Sequence, residues 1–141
     1  MAKNKKFKLP EDKRGFGSFE RDAIKKCGWY AQYVFDEVEC PFNTNIHTHG
    51  LIENFGHRDL QLCIQLPQQI AHGILWAAFR LIESGVTLEH NKEYEKVLTG
   101  YKVKTILARE DGRDVMRIIL PAKDGTYTGI YAEQLKNTGR E

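Results

Sequence analysis

The chain has no apolar run near the roughly 18 residues that a membrane-crossing helix needs. Its densest, ILWAAF at 74 to 79, sits inside an amphipathic pattern. Cysteine is scarce: Cys27, Cys40 and Cys63 are odd in number and never spaced as Cys-x-x-Cys. That suggests neither a disulfide framework nor a zinc knuckle, and reduced thiols fit best. No G-x-G-x-x-G or G-x-x-x-x-G-K-[ST] segment follows a strand, which disfavours parallel nucleotide-binding folds, and no G-x-S-x-G elbow offers a serine nucleophile. Charge of one sign is also in short supply. The net +2 is too small to imply a polyanionic partner by itself.

That charge is unevenly placed. Residues 1–14 carry Lys3, Lys5, Lys6, Lys8, Lys13 and Arg14 against Glu11 and Asp12, so the arm is +4 and the remainder −2. A mobile, solvated terminus accounts for this better than a nucleic-acid or lipid contact. The lysine-rich start is followed at once by charged FKLPEDKRG rather than an apolar signal core, so a cytoplasmic protein is expected.

What is present is one domain's worth of chain: 141 residues, 41% apolar, enough to bury a core without staples. Residues 1–14 are expected to be a basic flexible arm, 15–132 a single α+β domain, and 133–141 a loose tail. GSFERDAIKKCGW reads as a short helix, with Ser18 as its cap, Glu20 and Asp22 in the first turn, Lys25 and Lys26 in the last, and Gly28 as its stop. From Trp29 to Val38 the residues alternate, with Trp29, Ala31, Tyr33 and Phe35 on one side. Residues 44–52 and 60–66 read as two further strands joined by the loop ENFGHRD, with Leu60, Leu62, Ile64 and Leu66 facing one way and Gln61, Cys63 and Gln65 the other.

Pro67 opens the main helix, which runs to Ser84 and stops at Gly85. It carries two apolar stripes: Ile70, Ile74, Ala77, Ala78, Leu81 and Ile82 to face the sheet, and His72, Leu75, Trp76 and Phe79 beside them. The second stripe needs its own cover, expected from Phe19, Ala23 and Ile24 of the first helix in a monomer, with a homodimer as the alternative. The polar stretch after Gly85 reads as a loop with a helical turn near Tyr94 to Leu98. DGR then joins two hairpin strands. The sum is an α+β fold: a largely antiparallel five-stranded sheet packed on one main helix, with a short N-terminal helix.

Three of the five histidines fall within NIHTHGLIENFGH. Two residues apart on a strand, His47 and His49 project to the same side, and His57 could return from the loop as a third ligand to zinc or a similar divalent ion, with Glu53 as a base. Histidines on a half-exposed strand need no metal, however, and the remaining ligands of a metal hydrolase are missing, so no metal or other cofactor is favoured. Cys40 with His47 makes a poor nucleophile–base pair. His72 reads as a core histidine or as the lining of a pocket beside Trp76.

CGWYAQYVF, HTHGLIENFGHRDLQL, PQQIAHGILW and DGRDVMRIILPAKDGTY, taken in order over about residues 26–127, resemble the bacterial domain family of unknown function numbered 4262. Gly28, Trp29, Thr48, Gly50, Leu51, Gly56, His57 and Leu60 match its pattern. His47 stands where the family usually has tyrosine, His49 where it has an apolar residue, and Arg58-Asp59 replaces Pro-Glu. The resemblance implies no activity. It does imply that any shared site includes Thr48 and His57 before His47 and His49.

The reading is therefore a small binding or interaction module rather than an enzyme. Its polar strand-loop-strand pocket is formed by Thr48, His57, His47, His49, Asn54 and His72, for a nucleotide-like small molecule or a protein partner. The alternatives are a metal-dependent hydrolase at His47, His49 and His57, and nucleic-acid binding through the basic arm.

Overall fold

The computed structural model describes residues 7–10 and 17–139. The fold is α+β, with one mixed six-stranded sheet and one main helix. In chain order the elements are α1 (Ser18–Cys27), β1 (Tyr30–Val34), β2 (Asn45–His49), α2 (Leu51–Phe55), β3 (Asp59–Leu62), α3 (Gln68–Glu83), β4 (Lys92–Leu98), β5 (Tyr101–Glu110) and β6 (Arg113–Ile119), with 3₁₀ turns at Pro41–Asn43 and Gly129–Leu135. Among the described residues no helix is long and apolar enough to cross a membrane.

The sheet order is β1-β2-β3-β6-β5-β4. Every neighbouring pair is antiparallel except the central one, where β3 runs parallel to β6 with Asp59 opposite Val115 and Gln61 opposite Arg117. Two three-stranded meanders thus meet along one parallel seam. The sheet is largely antiparallel as expected, but it has six strands instead of five and one parallel pair at its centre.

The sixth strand is β4, where a helical turn was expected at 94–98. Its pattern is hidden by an irregularity between Tyr94 and Leu98, at which Lys96 takes φ +71°, so the inward positions fall out of simple alternation. As an edge strand it carries Lys92, Glu93, Glu95 and Lys96, the charge expected of an edge that resists pairing with other chains. The turn at Asp111-Gly112 has φ +50° and +80°, the positive values a tight primed hairpin demands.

Two other corrections are local. β2 stops at His49 because Gly50, at φ +110°, turns the chain into α2, where a loop was expected. A Cβ on Gly50 would lie 2.4 Å from the Gly28 carbonyl oxygen, so only glycine permits this close crossing. Gly17, not Ser18, occupies the N-cap of α1, without a side-chain cap bond, while Gly28 ends that helix in the left-handed conformation with its N–H donating to the Ile24 carbonyl.

One sheet face packs on α3 through Ile46, Leu60, Leu62, Met116 and Ile118. The helix meets it with Ala71, Ile74, Leu75, Ala78, Phe79 and Ile82, whereas Ile70 is 53% exposed. The sheet-facing stripe is therefore rotated by about one position from the expected one. The opposite face holds a buried polar layer of Asn45, His47, Gln61, Glu110 and Arg117. The backbone of residues 134–137 closes over it, so the described part of the expected loose tail is anchored although most of its side chains are exposed: Gln134 is fully buried and bonds both the N–H and the carbonyl of Leu120.

The expected cover of the second helix stripe by α1 fails in part. Ile24 is fully buried, but Phe19 is 78% exposed. Trp76 instead packs on Trp29, Phe79 and His72, with the Arg80 guanidinium 5.9 Å from its ring centre. Because Trp76 is half-buried rather than enclosed, Trp76→Ala is expected to lose about 2 kcal/mol. The denaturant midpoint checks this, with the solution mass expected to stay unchanged.

Candidate functional site

The gap left between α1 and α3 is a cavity of about 1020 Å³, floored by β1. Trp29, immediately before β1, forms one wall, with its ring centre 5.1 Å from that of Trp76, 5.4 Å from that of Phe79 and 6.0 Å from that of His72. These residues converge because Trp29 alternates with Ala31 and Tyr33 on the helix-facing side of β1, while His72 and Trp76 stand one turn apart on α3.

Trp29 is only 3% exposed, and its indole Nε1–H is buried with no hydrogen-bond partner among the described residues. The Tyr33 hydroxyl is in the same position, and burial raises its pKa above the ordinary tyrosine value. Each unsatisfied buried donor costs roughly 1–3 kcal/mol. Two such groups in the lining of one cavity are an exception to the general pairing of buried polar atoms. The rest of the lining is neutral amide, apolar and aromatic, with Glu20 as its one carboxylate and His72 as its other titratable ring besides the tyrosines and Cys27.

The residues expected to form a polar pocket are distributed differently. His72 lines the aromatic cavity. Thr48 is fully buried: its hydroxyl donates to Asp59 Oδ1 at 2.7 Å and accepts the Leu60 N–H at 2.9 Å. Asn54 clamps the backbone, donating to the carbonyls of Lys8 and Gly28 at 2.8 and 3.0 Å. His57 uses both ring nitrogens, Nδ1–H donating to the Arg58 carbonyl at 2.7 Å and Nε2 accepting the Leu88 N–H at 2.9 Å. Burial holds its pKa below the ordinary histidine value.

His47 and His49 do share a face, with ring centres 4.8 Å apart, and both reach Gln32 Oε1, at 3.0 and 3.3 Å. His49 also stacks on Tyr30. His57 does not join them, since it is committed to Leu88. Among the described residues no three His, Cys, Asp or Glu side chains come together as a ligand set, which corrects the idea of a three-histidine centre. Of the basic arm, Lys3, Lys5, Lys6, Lys13 and Arg14 lie outside the described residues.

Sequence reasoning missed the ionic pin at the top of the seam. Asp59 Oδ1 accepts from Thr48 and from the Leu51 N–H at 3.0 Å, while Oδ2 accepts from Arg113 at 3.1 Å. Arg113 also donates to the Thr48 carbonyl and to Glu110. Burial pushes the Asp59 carboxyl up to about 6, although Arg113, Thr48 and Leu51 each pull it down. The signal that could have found it was an acid followed at alternating positions by Gln61 and Cys63, on the strand face opposite Leu60 and Leu62.

A family model described as Domain of unknown function (DUF4262) matches residues 23–129. That span contains all six strands and α3, and with them Trp29, Tyr33, His72 and Trp76. No curated protein and no solved structure matches the chain.

Proposed function

The chain belongs to the DUF4262 family, which brings no activity with it, and from the cavity itself we propose a binding module for a small, planar, uncharged heteroaromatic group. The single observation that carries this reading is the pair of unpartnered donors, Trp29 Nε1–H and Tyr33 Oη–H, in an aromatic lining. A ligand with ring acceptors would recover their hydrogen bonds once the Trp29 and Tyr33 side chains turn these buried atoms to the cavity wall, while its faces meet Trp76 and His72. A lining with Glu20 and no Lys or Arg disfavours a phosphate inside the cavity. A nucleobase or a similar heterocycle meets these requirements better than an anionic nucleotide.

The chain has only two tryptophans, and both line this cavity. Intrinsic fluorescence therefore reports the site without a label. Titration with purine and pyrimidine nucleosides should quench or shift the emission saturably and raise the melting temperature, with cyclohexanol as the non-aromatic control. No saturable change with any nucleoside, or an equal response to cyclohexanol, would overturn the reading. Tyr33→Phe gives the sharper test. Removing an unsatisfied hydroxyl should stabilise the free chain by about 1 kcal/mol while weakening the ligand by up to about tenfold. A variant that loses stability and leaves affinity unchanged would show that the hydroxyl serves the fold.

A further inference from the structure

On the polar side of the sheet a second cavity, about 570 Å³, is bordered by Cys40, Asn45 and Glu110. Cys40 is half-buried there, just before the Pro41–Asn43 turn, and Cys63 lies fully buried behind it at the end of β3. Each thiol is within hydrogen-bonding reach of the other. Gln61, two residues before Cys63 and on the same side of the strand, points its amide N–H toward Cys40 Sγ at 4.0 Å and donates to Asn45 Oδ1 at 3.0 Å. Its amide oxygen accepts from Arg117 Nε at 2.8 Å.

Arg117 is fully buried, and all its hydrogen bonds among the described residues go to neutral acceptors: Gln61 and the carbonyls of Gln134, Lys136 and Asn137. A buried guanidinium without a bonded counter-ion favours negative charge nearby. The groups placed to supply that charge are the Cys40 and Cys63 thiols and Glu110; Glu110 is already paired with Arg113, and of the two thiols only Cys40 borders the cavity. The Cys63 thiol as hydrogen-bond partner lowers the Cys40 pKa, and Arg117 lowers it further. Burial opposes both, as do Glu37 and Glu110. Cys63 is pushed the other way by its contact with Cys40 and by burial, so it remains the protonated member.

We propose that Cys40 and Cys63 form a peroxide-oxidisable thiol pair, with Cys40 attacking and Cys63 resolving, which closes a disulfide between the Pro41–Asn43 turn and β3. The Cys40 thiolate attacks the terminal oxygen of a hydroperoxide, the O–O bond breaks, and the departing alkoxide or hydroxide takes up a proton to leave Cys40 as a sulfenic acid. Cys63 then attacks that sulfur. Its proton leaves with the sulfenic hydroxyl as water, so two thiols and one hydroperoxide give one disulfide, one alcohol or water, and one further water. Cys27 belongs to the aromatic cavity and takes no part.

The test is the whole chain, freed of reductant, treated with a small excess of hydrogen peroxide and then with N-ethylmaleimide. The expected product has lost two hydrogens in mass, takes up one maleimide instead of the three that its cysteines accept when reduced and unfolded, and yields a linked Cys40–Cys63 peptide that dithiothreitol separates. Cys27→Ser should give the same link. Cys63→Ser should leave a sulfenic acid at Cys40 that dimedone traps, and Cys40→Ser should leave Cys63 unoxidised. Because Cys63→Ser alters a buried position and can impair folding, peptide mapping of the unsubstituted chain stands as the deciding measurement. Three maleimides after peroxide, a bridge through Cys27, or a disulfide only between two chains would each overturn the proposal.

Discussion

Asp59→Ala is expected to cost about 3–5 kcal/mol, because it leaves three donors that now share one buried carboxylate without an acceptor. Those donors are the Thr48 hydroxyl, the Leu51 N–H that opens α2, and an Arg113 guanidinium that also holds Glu110. Asp59→Asn should cost less, since its amide oxygen can still accept from Thr48 and Leu51, but it sets an N–H against Arg113. The two variants also separate charge from shape through pH. With a folded pKa of about 6 against an ordinary 3.8, the native state binds the Asp59 proton more tightly than the unfolded chain does. The resulting stability is fully present below pH 3.8 and is lost as pH rises through about 6, a swing of about 3 kcal/mol. Urea midpoints between pH 4 and pH 7 should therefore fall in the unsubstituted chain relative to Asp59→Asn. A constant difference between the two across that range would show that Asp59 titrates normally.

The second large effect is expected at Arg117. Arg117→Met fills much of the same volume with an apolar chain but leaves Gln61 Oε1 and the carbonyls of Gln134, Lys136 and Asn137 without their donor. A loss of about 3–5 kcal/mol follows from buried acceptors left unpaired. It should be accompanied by release of residues 129–139, seen as faster amide exchange and earlier proteolysis at the C-terminal end. Arg117→Lys should fall between, because one ammonium cannot span four acceptors that a planar fork reaches at once. Global destabilisation without selective exposure of residues 129–139 would mean that this segment is held by Gln134 alone.

How much of this was legible in the chain depends on the range over which each element is determined. α1 and α3 followed from local signals: Gly28 and Gly85 as stops, Pro67 at the entrance, and apolar residues three and four apart. The β5–β6 hairpin followed from Asp111-Gly112. β4 did not, since the irregularity at Lys96 broke the period that a strand would show, and the parallel pairing of β3 with β6 joins residues 56 positions apart, such as Asp59 and Val115, with no local mark. At the site, the second stripe of α3 divides: Leu75 and Phe79 face the sheet, while Trp76 and His72 meet Trp29 beside the edge strand β1. That partner was not readable, because no local pattern brings Trp29 to α3, and Phe19, the expected cover, projects to solvent. The histidines drew attention by their spacing, yet hydrogen-bond partners far along the chain, Leu88 for His57 and Gln32 for His47, determine what each one does.

The parallel seam also has a meaning in time. β1, β2 and β3 connect through short segments, as do β4, β5 and β6, so each meander closes inexpensive loops, whereas β3 can meet β6 only after everything between Leu62 and Arg113 has been brought back on itself. Such non-local pairing is the slow part of folding, and it rewards the chain only once the loop entropy has been spent. Until then the polar faces of Asp59, Gln61, Arg113 and Arg117 lie on two separate pieces with their charges still hydrated. The aromatic cavity is built by α1, β1 and α3, all upstream of β4. The binding walls thus lie early in the chain, and the polar pins of the seam, at Asp59–Arg113 and Gln61–Arg117, are expected to be among the last contacts to form.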